Sequence, residues 1–143
     1  MLISTRGRYA LRVMFDLAQQ DRGAYIPLKD IAMRQEISEK YLESIVKSLT
    51  KEGFLEGLRG KGGGYRLTRN ADEYTVRSVL ELTEGSLAPV SCLECGGKEC
   101  RRSAECPTLP RWKGLEKIIQ EYFEGITVAD LAENGRPGDD YVI

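Results

Sequence analysis

The chain has 143 residues, of which 41% are hydrophobic, and a formal net charge of −1. This length suits one compact domain, or a small domain with an appendage, that needs no disulfides for stability. The N-terminus lacks the apolar core and cleavage site of a signal peptide. Because no window approaches the roughly 18 apolar residues of a membrane span, we expect a cytoplasmic protein with no membrane contact.

The small net charge conceals two halves of opposite sign. Residues 1–70 carry 13 Lys and Arg against 8 Asp and Glu, whereas residues 71–143 carry 8 against 14. A basic N-terminal half joined to an acidic C-terminal half indicates a module that binds a polyanion, attached to a second element.

Apolar residues at three-and-four spacing predict three helices in the basic half. The first runs from about Arg8, and the second follows Pro27 and ends near Gln35. The third is capped by Ser38 and ended by Gly53. Two short helices joined by three or four residues form a helix-turn-helix.

The next segment, FLEGLRGKGGGYRLT, predicts a β-hairpin with a basic, glycine-rich tip that carries Arg59 and Lys61. Three helices followed by such a hairpin form a winged helix. Its recognition helix enters the major groove of double-stranded operator DNA, and its wing reaches the backbone or the adjoining minor groove. The tip matches neither of the common nucleotide-binding loops and lies between strands, which argues against nucleotide binding.

The predicted DNA-binding residues lie on the recognition helix and the wing. They are Ser38, Lys40, Tyr41, Glu43, Ser44, Lys47, Arg59 and Lys61. The lysines, Tyr41 and Ser44 can donate to phosphates or base edges, and Glu43 can accept from a cytosine amino group. The alternative is an ordinary solvated helix face on which Glu43 and Lys47 form an i, i+4 pair.

All four cysteines lie in one stretch, SCLECGGKECRRSAEC, and the chain has no histidine. The candidate metal ligands are Cys92, Cys95, Cys100 and Cys106. In a reducing compartment, clustered thiols are more often ligands or redox sensors than disulfides. Four thiolates can hold an iron-sulfur cluster or zinc, or can act as a metal-free thiol switch.

The acidic half is predicted to contain three further helices. Thr75 caps the first, and Thr127 caps the last with Asp130 as an approximate capping box. The long helix between them carries a broad apolar stripe formed by Trp112, Leu115, Ile118, Ile119, Tyr122 and Phe123. This stripe packs into the core of its own chain, pairs with a second copy across a two-fold axis, or does both.

These motifs resemble those of the Rrf-type winged-helix regulators typified by the iron-sulfur cluster regulator IscR. The resemblance rests on ISTRGRYALRVMFDLA, ISEKYLESIVKSLTKEGFLEGLRGKGGGYRLT and TVRSVLELTEG, and extends to about Leu131. It implies a homodimer that binds operator DNA through Tyr41, Glu43, Ser44 and Arg59. The expected fold is mostly α with a small β-hairpin wing: a winged helix-turn-helix plus a long C-terminal dimerisation helix.

The resemblance also implies a 2Fe-2S cluster as cofactor, although the ligands differ. Some members hold the cluster with three cysteines and a histidine placed three residues after the last cysteine, where this chain has Leu109. The extra cysteine is the obvious replacement, and a carboxylate such as Glu94, Glu99 or Glu105 is the fallback. Zinc and a metal-free thiol switch remain as alternatives. We expect a winged helix at 1–83, the cysteine segment at 84–107, the dimerisation and final helices at 108–134, and a flexible tail at 135–143.

The last residues, Asp140, Tyr141, Val142 and Ile143, resemble the tail that serine acetyltransferases insert into O-acetylserine sulfhydrylase. CymR, a regulator of the same family, senses cysteine supply by binding that enzyme. Tyr141, Val142 and Ile143 are therefore candidate partner-binding residues, because capture of a terminal carboxylate is a known recognition mode.

The function predicted from the sequence is binding rather than catalysis, since no histidine can serve a Ser or Cys nucleophile. We expect a dimeric transcription regulator that senses iron-sulfur cluster status and controls genes of cluster biogenesis. The alternatives are a repressor of cysteine metabolism that acts with O-acetylserine sulfhydrylase, and an electron carrier of ferredoxin type. The carrier would show no salt-dependent affinity for DNA.

Overall fold

The structure is a computed structural model that describes residues 2–94 and 101–134. It confirms the predicted fold class, because the described part is mostly helical with one antiparallel hairpin. The helices and strands are α1 (Thr5–Ala18), α2 (Leu28–Gln35), α3 (Glu39–Lys51), β1 (Leu55–Leu58), β2 (Gly64–Leu67), α4 (Val76–Glu84), α5 (Leu109–Glu124) and α6 (Val128–Asn134). No helix in this part of the chain is long and apolar enough to cross a membrane.

Helices α2 and α3 form the predicted helix-turn-helix. The hydroxyl of Ser38 accepts a hydrogen bond from the Tyr41 amide and caps α3, and Gly53 follows the helix with a φ of 77°. In the turn between the helices, Glu36 adopts the left-handed conformation with a φ of 55°. Helix α1 begins earlier than predicted from its apolar stripe, because the Ser4 hydroxyl caps it by accepting from the Gly7 amide.

One apolar core joins these three helices to the base of the wing. Helix α3 buries Leu42, Ile45, Val46 and Leu49 completely, and α1 buries Ala10, Val13 and Met14 equally well. Tyr74, which follows the wing, is also fully buried. Its hydroxyl donates to the Phe54 carbonyl and accepts from the Thr68 and Arg69 amides, so it ties together the two ends of the hairpin.

A buried carboxylate fixes α2 against α1. Asp16 on α1 is 1% exposed and accepts hydrogen bonds from Arg34 and Gln35 at the end of α2. The hydrogen bond with Asp16 is the main reason why the pKa of Arg34 is raised. Gln35 in turn accepts from Arg12 on α1 through both its side chain and its carbonyl. The helix-turn-helix is therefore held by polar contacts as well as by its apolar core.

The wing is a two-stranded hairpin extended by one bridge to the segment before α2. Leu55 pairs with Leu67, and Leu58 pairs with Gly64. Ile26 and Tyr65 exchange two backbone hydrogen bonds, each 2.9 Å long. Gly64 has a φ of 153°, and a Cβ added at this residue would lie 2.2 Å from the Ile26 carbonyl oxygen. This position therefore requires glycine, because only a bare Cα lets the wing approach this closely.

The last helices pack on the back of the winged helix. Val76, Leu80 and Leu87 form a second apolar cluster, against which Ile119 and Phe123 of α5 pack. Residues around Thr75 and Thr127 pair as a short antiparallel bridge, so that Val128 of α6 joins the main core. The predicted capping box at the start of α6 is present. The Thr127 amide donates to the Asp130 carboxylate, and the Asp130 amide donates to the Thr127 hydroxyl.

Candidate functional site

The recognition helix α3 turns its hydrophilic face to solvent. Its four buried residues line one side, and the predicted DNA-binding residues of this helix are exposed. These residues are Lys40, Tyr41, Glu43, Ser44 and Lys47, together with Ser38 immediately before the helix. The Ser38 hydroxyl is already engaged, because it accepts from the Tyr41 amide at 3.1 Å.

The wing stands along one edge of this face. A groove of about 530 Å³ lies between α3 and the hairpin, and Glu43, Lys47 and Arg59 all line it. Lys61 is exposed at the tip of the hairpin and does not line the groove. The structure thus brings one carboxylate and two cations of the predicted set together, with Lys61 farther out on the wing.

Two residues of α1 that are not among the predicted DNA-binding residues border the opposite edge of the α3 face. Arg6 donates to the Ser44 hydroxyl at 3.0 Å and to the Ser48 hydroxyl at 2.7 Å. The Tyr9 ring packs edge-on against Tyr41, with 5.5 Å between ring centroids. The arginines interleaved with apolar residues in α1 could have indicated a DNA-facing role. Their partners, however, depend on the angle at which α1 crosses α3, and the sequence does not show this angle.

We call this region the α3–wing surface: the exposed face of α3, the wing, and Arg6 and Tyr9. It carries more cations than carboxylates. The cations are Arg6, Lys40, Lys47, Lys51, Arg59, Lys61 and Arg66, and the carboxylates are Glu39, Glu43 and Glu56, of which Glu56 is paired with Arg66. Such a surface can neutralise phosphates, and a carboxylate among the cations can discriminate between bases by accepting from a cytosine amino group.

The described part of the cysteine segment contains two of the four candidate ligands. Cys92 lies in a short 3-10 helix, Ser91–Leu93, and is exposed, and Cys106 is half-buried just before α5. The sulfur of Cys106 lies 3.2 Å from the Thr108 hydroxyl. Cys95 and Cys100 lie outside the described residues.

The environment of Cys106 favours its thiolate. The Thr108 hydroxyl, and then the backbone amides of Thr108 and Leu109, lower the pKa of Cys106 by hydrogen bonding, and the charge of Arg102 adds to the effect. Amides that begin a helix have no partner within it, so they are free to stabilise an anion. A thiolate is the form in which cysteine ligates a metal.

Helix α5 leaves part of its predicted apolar stripe uncovered. Trp112 is 38% exposed, Leu115 40%, Ile118 64% and Tyr122 65%. Ile119 and Phe123 pack inward on the second cluster. The stripe therefore divides between the core of this chain and an outer face, which we call the α5 face. The candidate partner-binding residues Tyr141, Val142 and Ile143 lie outside the described residues.

Comparison with known proteins decides the family. A family model described as "Iron-dependent Transcriptional regulator", Rrf2, matches residues 3–134. The chain belongs to the Rrf2 family. The expected resemblance is confirmed, and the match includes both the α3–wing surface and the cysteine segment.

Curated and solved relatives of this Rrf2 protein are named as transcription regulators. The regulator IscR of Erwinia tasmaniensis is 37% identical over 135 residues, which are 94% of this chain and 80% of that protein. The structure of CymR, the global cysteine regulator of B. subtilis, matches with a TM-score of 0.76 and 32% identity, over 95% of this chain and 99% of CymR. T. potens IscR also has a TM-score of 0.76, with 31% identity, over 99% of this chain and 93% of that one. The protein is thus a winged-helix, DNA-binding transcription regulator, and no family of enzymes is indicated.

The donor set of this Rrf2 protein fits a metal group held by thiolates. The lowered pKa of Cys106 favours the thiolate, the form that ligates a metal, and the side chain of Leu109, a half-buried residue at the start of α5, offers no donor atom. Within residues 2–94 and 101–134, no three acidic or cysteine side chains lie close enough together to hold a metal ion. A ligand set built on thiolates therefore needs Cys95 or Cys100 in addition to Cys92 and Cys106.

Proposed function

We propose that this Rrf2 protein is a homodimeric, sequence-specific DNA-binding regulator whose cysteines hold a 2Fe-2S cluster and whose affinity for operator DNA depends on cluster occupancy. Control of genes for cluster biogenesis is the proposed role. The observation that carries the proposal is the α3–wing surface, in which cations surround Glu43 on an exposed recognition helix.

In this proposal, α3 enters the major groove and the wing follows the adjoining backbone. Lys40, Lys47, Arg59 and Lys61 neutralise phosphates, which supplies affinity without sequence preference. Tyr41, Ser44 and Glu43 face the base edges, where Glu43 accepts from a cytosine amino group. Ser38 caps α3 by accepting from the Tyr41 amide, and its hydroxyl hydrogen remains available to donate to a phosphate.

The α5 face supports the dimer. Ile118 and Tyr122 expose 64% and 65% of their surface, and Trp112 and Leu115 continue the same stripe toward the start of the helix. A second copy covering this face buries the stripe and places two recognition helices about a two-fold axis, as palindromic operators require.

The proposed ligands are Cys92, Cys95, Cys100 and Cys106. When bound, the cluster supplies an oxidisable and labile group whose loss reports iron and redox status. Cys106 lies three residues before Leu109, the first residue of α5, and its thiolate is stabilised by the Thr108 hydroxyl and then by the amides of Thr108 and Leu109 at that helix start. Ligation at Cys106 therefore acts on the beginning of the helix that carries the α5 face.

The decisive experiment is anaerobic purification followed by a visible spectrum and analysis of iron and sulfide. We expect a coloured protein, and loss of iron and sulfide in the variants Cys92→Ser, Cys95→Ser, Cys100→Ser and Cys106→Ser. A colourless, iron-free protein after anaerobic reconstitution contradicts the cluster, and bound zinc in its place supports a structural zinc site instead.

A paired variant identifies the fourth ligand. Leu109 occupies the position at which related regulators carry a ligating histidine. If Cys95 is the replacement, Cys95→Ser loses the cluster and the double variant Cys95→Ser, Leu109→His regains it. Equal iron content in the wild type and Cys95→Ser assigns the fourth ligand to another residue.

The similarity to CymR supports a second candidate, a repressor of cysteine metabolism that acts with O-acetylserine sulfhydrylase. In this candidate Tyr141, Val142 and Ile143 bind the enzyme and the thiols only adjust redox response. Deletion of Val142 and Ile143 should abolish binding to purified sulfhydrylase. Unchanged binding contradicts this candidate.

A further inference from the structure

The recognition helix has neighbours on both edges of its exposed face. Glu43 and Lys47 border the groove shared with the wing, whereas Ser44 and Ser48 contact α1 through Arg6. When such a helix lies in the major groove, the two sugar-phosphate backbones run along its two edges, because the groove is only about 12 Å wide. In the proposed function the wing contacts the backbone at one edge, and no residue is assigned to the backbone at the other.

Arg6 is held firmly at this second edge. Its guanidinium donates to the Ser44 hydroxyl at 3.0 Å, to the Ser44 carbonyl at 3.2 Å and to the Ser48 hydroxyl at 2.7 Å. All three acceptors belong to α3, although Arg6 lies on α1. An arginine whose fork is fixed in advance loses less conformational entropy when it binds a further anion.

The positive charge of Arg6 has no counterion in the described part of the chain. Arg34, Arg66 and Arg77 each form an ion pair with a carboxylate there, whereas the acceptors of Arg6 are hydroxyl and carbonyl oxygens. These acceptors are uncharged, so the full charge remains available to an anion. Their hydrogen bonds also orient the guanidinium beside the exposed Ser44.

We infer that Arg6 binds a DNA phosphate on the backbone across the major groove from the one that the wing contacts. This inference deepens the proposed function and rests on the recognition helix entering the major groove. Arg6 is then a phosphate-binding residue supplied by α1, and Ser44 and Ser48 are its positioning residues. The protein grips both strands that border α3, one through the wing and one through α1.

The first test measures how DNA affinity depends on salt, with the cluster-loaded protein. The probes are a mixed-sequence 30-base-pair duplex and a duplex selected by the wild-type protein from a random pool. We expect Arg6→Gln to reduce the slope of log K against log salt by about 0.9 per bound protomer on both probes. Arg6→Lys should keep the slope, because it keeps the charge. Lys117→Gln removes an equal charge from an exposed site on α5 and should leave the slope unchanged.

The second test locates the phosphate. Each phosphate of the selected duplex is replaced in turn by a neutral methylphosphonate. We expect one position, on the strand not contacted by the wing, where replacement weakens the wild type and Lys117→Gln but not Arg6→Gln. Ser48→Ala keeps the cation while removing its shortest hydrogen bond, so it should stay sensitive at that position.

A slope unchanged by Arg6→Gln, or sensitivity of Arg6→Gln to every phosphate that matters to the wild type, overturns the inference and assigns Arg6 a purely structural role. That result leaves the proposed function intact, because the wild type still binds the selected duplex. Absence of salt-dependent binding by the wild type itself overturns both.

Discussion

Helices α3 and α5 both carry apolar stripes, and they use these apolar residues differently. In α3, four apolar residues are fully buried and the exposed side is polar. In α5 no residue is fully buried, and Ile118 and Tyr122 are more than half exposed. One helix has completed its packing within the chain, and the other has not.

The difference separates two tasks. A helix that reads DNA must present fixed side chains, so its position is set by a complete core and by contacts such as Arg6 with Ser48. A helix that joins two copies has to keep apolar surface for the partner. In the proposed function, occupancy of the cysteine site at the start of α5 alters the relation between the two copies without repacking α3.

Substitution in the completed core gives the largest expected effect. Leu42→Ala should lower the free energy of unfolding by about 3 kcal/mol, because Leu42 is fully buried on α3 and its removal leaves a cavity. Chemical denaturation followed by circular dichroism measures it. The control Met33→Ala, at a side chain that is 71% exposed, should stay within about 0.5 kcal/mol of the wild type. Equal losses in the two variants contradict the account of the core.

A charge on the α5 face should affect assembly rather than the fold. Ile118→Asp is expected to weaken the dimer about 100-fold, because the carboxylate becomes buried without a partner in the interface. Sedimentation at several protein concentrations measures the dissociation constant. Lys113→Asp introduces the same carboxylate on α5 away from the stripe, with a larger change in net charge, and should remain dimeric. A dimer unaffected by Ile118→Asp moves the interface elsewhere.

The cysteine site should show the pH dependence that its lowered pKa implies. Because the pKa of Cys106 is lowered, its thiolate persists to lower pH than that of an ordinary cysteine and is lost only below the depressed value. Thr108→Val removes the main cause, so the midpoint of Cys106 alkylation in the cluster-free protein should move to higher pH. Mass spectrometry of the labelled peptide gives the rate at each pH.

Arg102→Gln serves as the graded control for that measurement. The charge of Arg102 is the last of the causes that lower the pKa, so its removal should move the midpoint less than Thr108→Val does. The reverse order contradicts the conclusion that hydrogen bonds at the start of α5 are the main cause of the lowered pKa of Cys106.

The smallest effect is expected at the turn of the helix-turn-helix. Glu36 has a φ of 55°, a conformation that glycine adopts without strain, so Glu36→Gly should raise the free energy of unfolding by about 0.5 kcal/mol. Glu52→Gly is the matched control, since Glu52 has a φ of −86°. It should lower stability by a similar amount, and a loss in both variants indicates that the turn carries no strain.

Local features of the fold could be predicted from the sequence. Ser38, Thr75 and Thr127 cap their helices because a cap depends on residues only three positions apart. Contacts between distant residues could not be predicted in this way. Arg6 meets Ser44 across 38 positions, and no periodicity encodes the angle at which α1 crosses α3.

The sequence also does not show which residues of the α5 stripe are buried and which are exposed. Ile118 and Ile119 are adjacent and chemically identical, yet one is exposed and the other packs on Leu80 and its neighbours. Only the placement of α4 decides which of them faces inward. Similarly, the spacing of the cysteines indicates a thiolate site, whereas the choice between iron-sulfur and zinc depends on how the loop holds them.

Tyr74 links the wing to α6, a helix that is distant from it in the sequence. Its hydroxyl joins the two ends of the wing, and its backbone carbonyl accepts from the Val128 amide at the start of α6. The winged helix is consequently not a unit that ends after the hairpin, because its core includes Val128 of α6. Val128 lies more than 50 residues downstream of Tyr74, beyond the cysteines, so the packing of the winged helix is complete only after the cysteine segment and α6 have been synthesised.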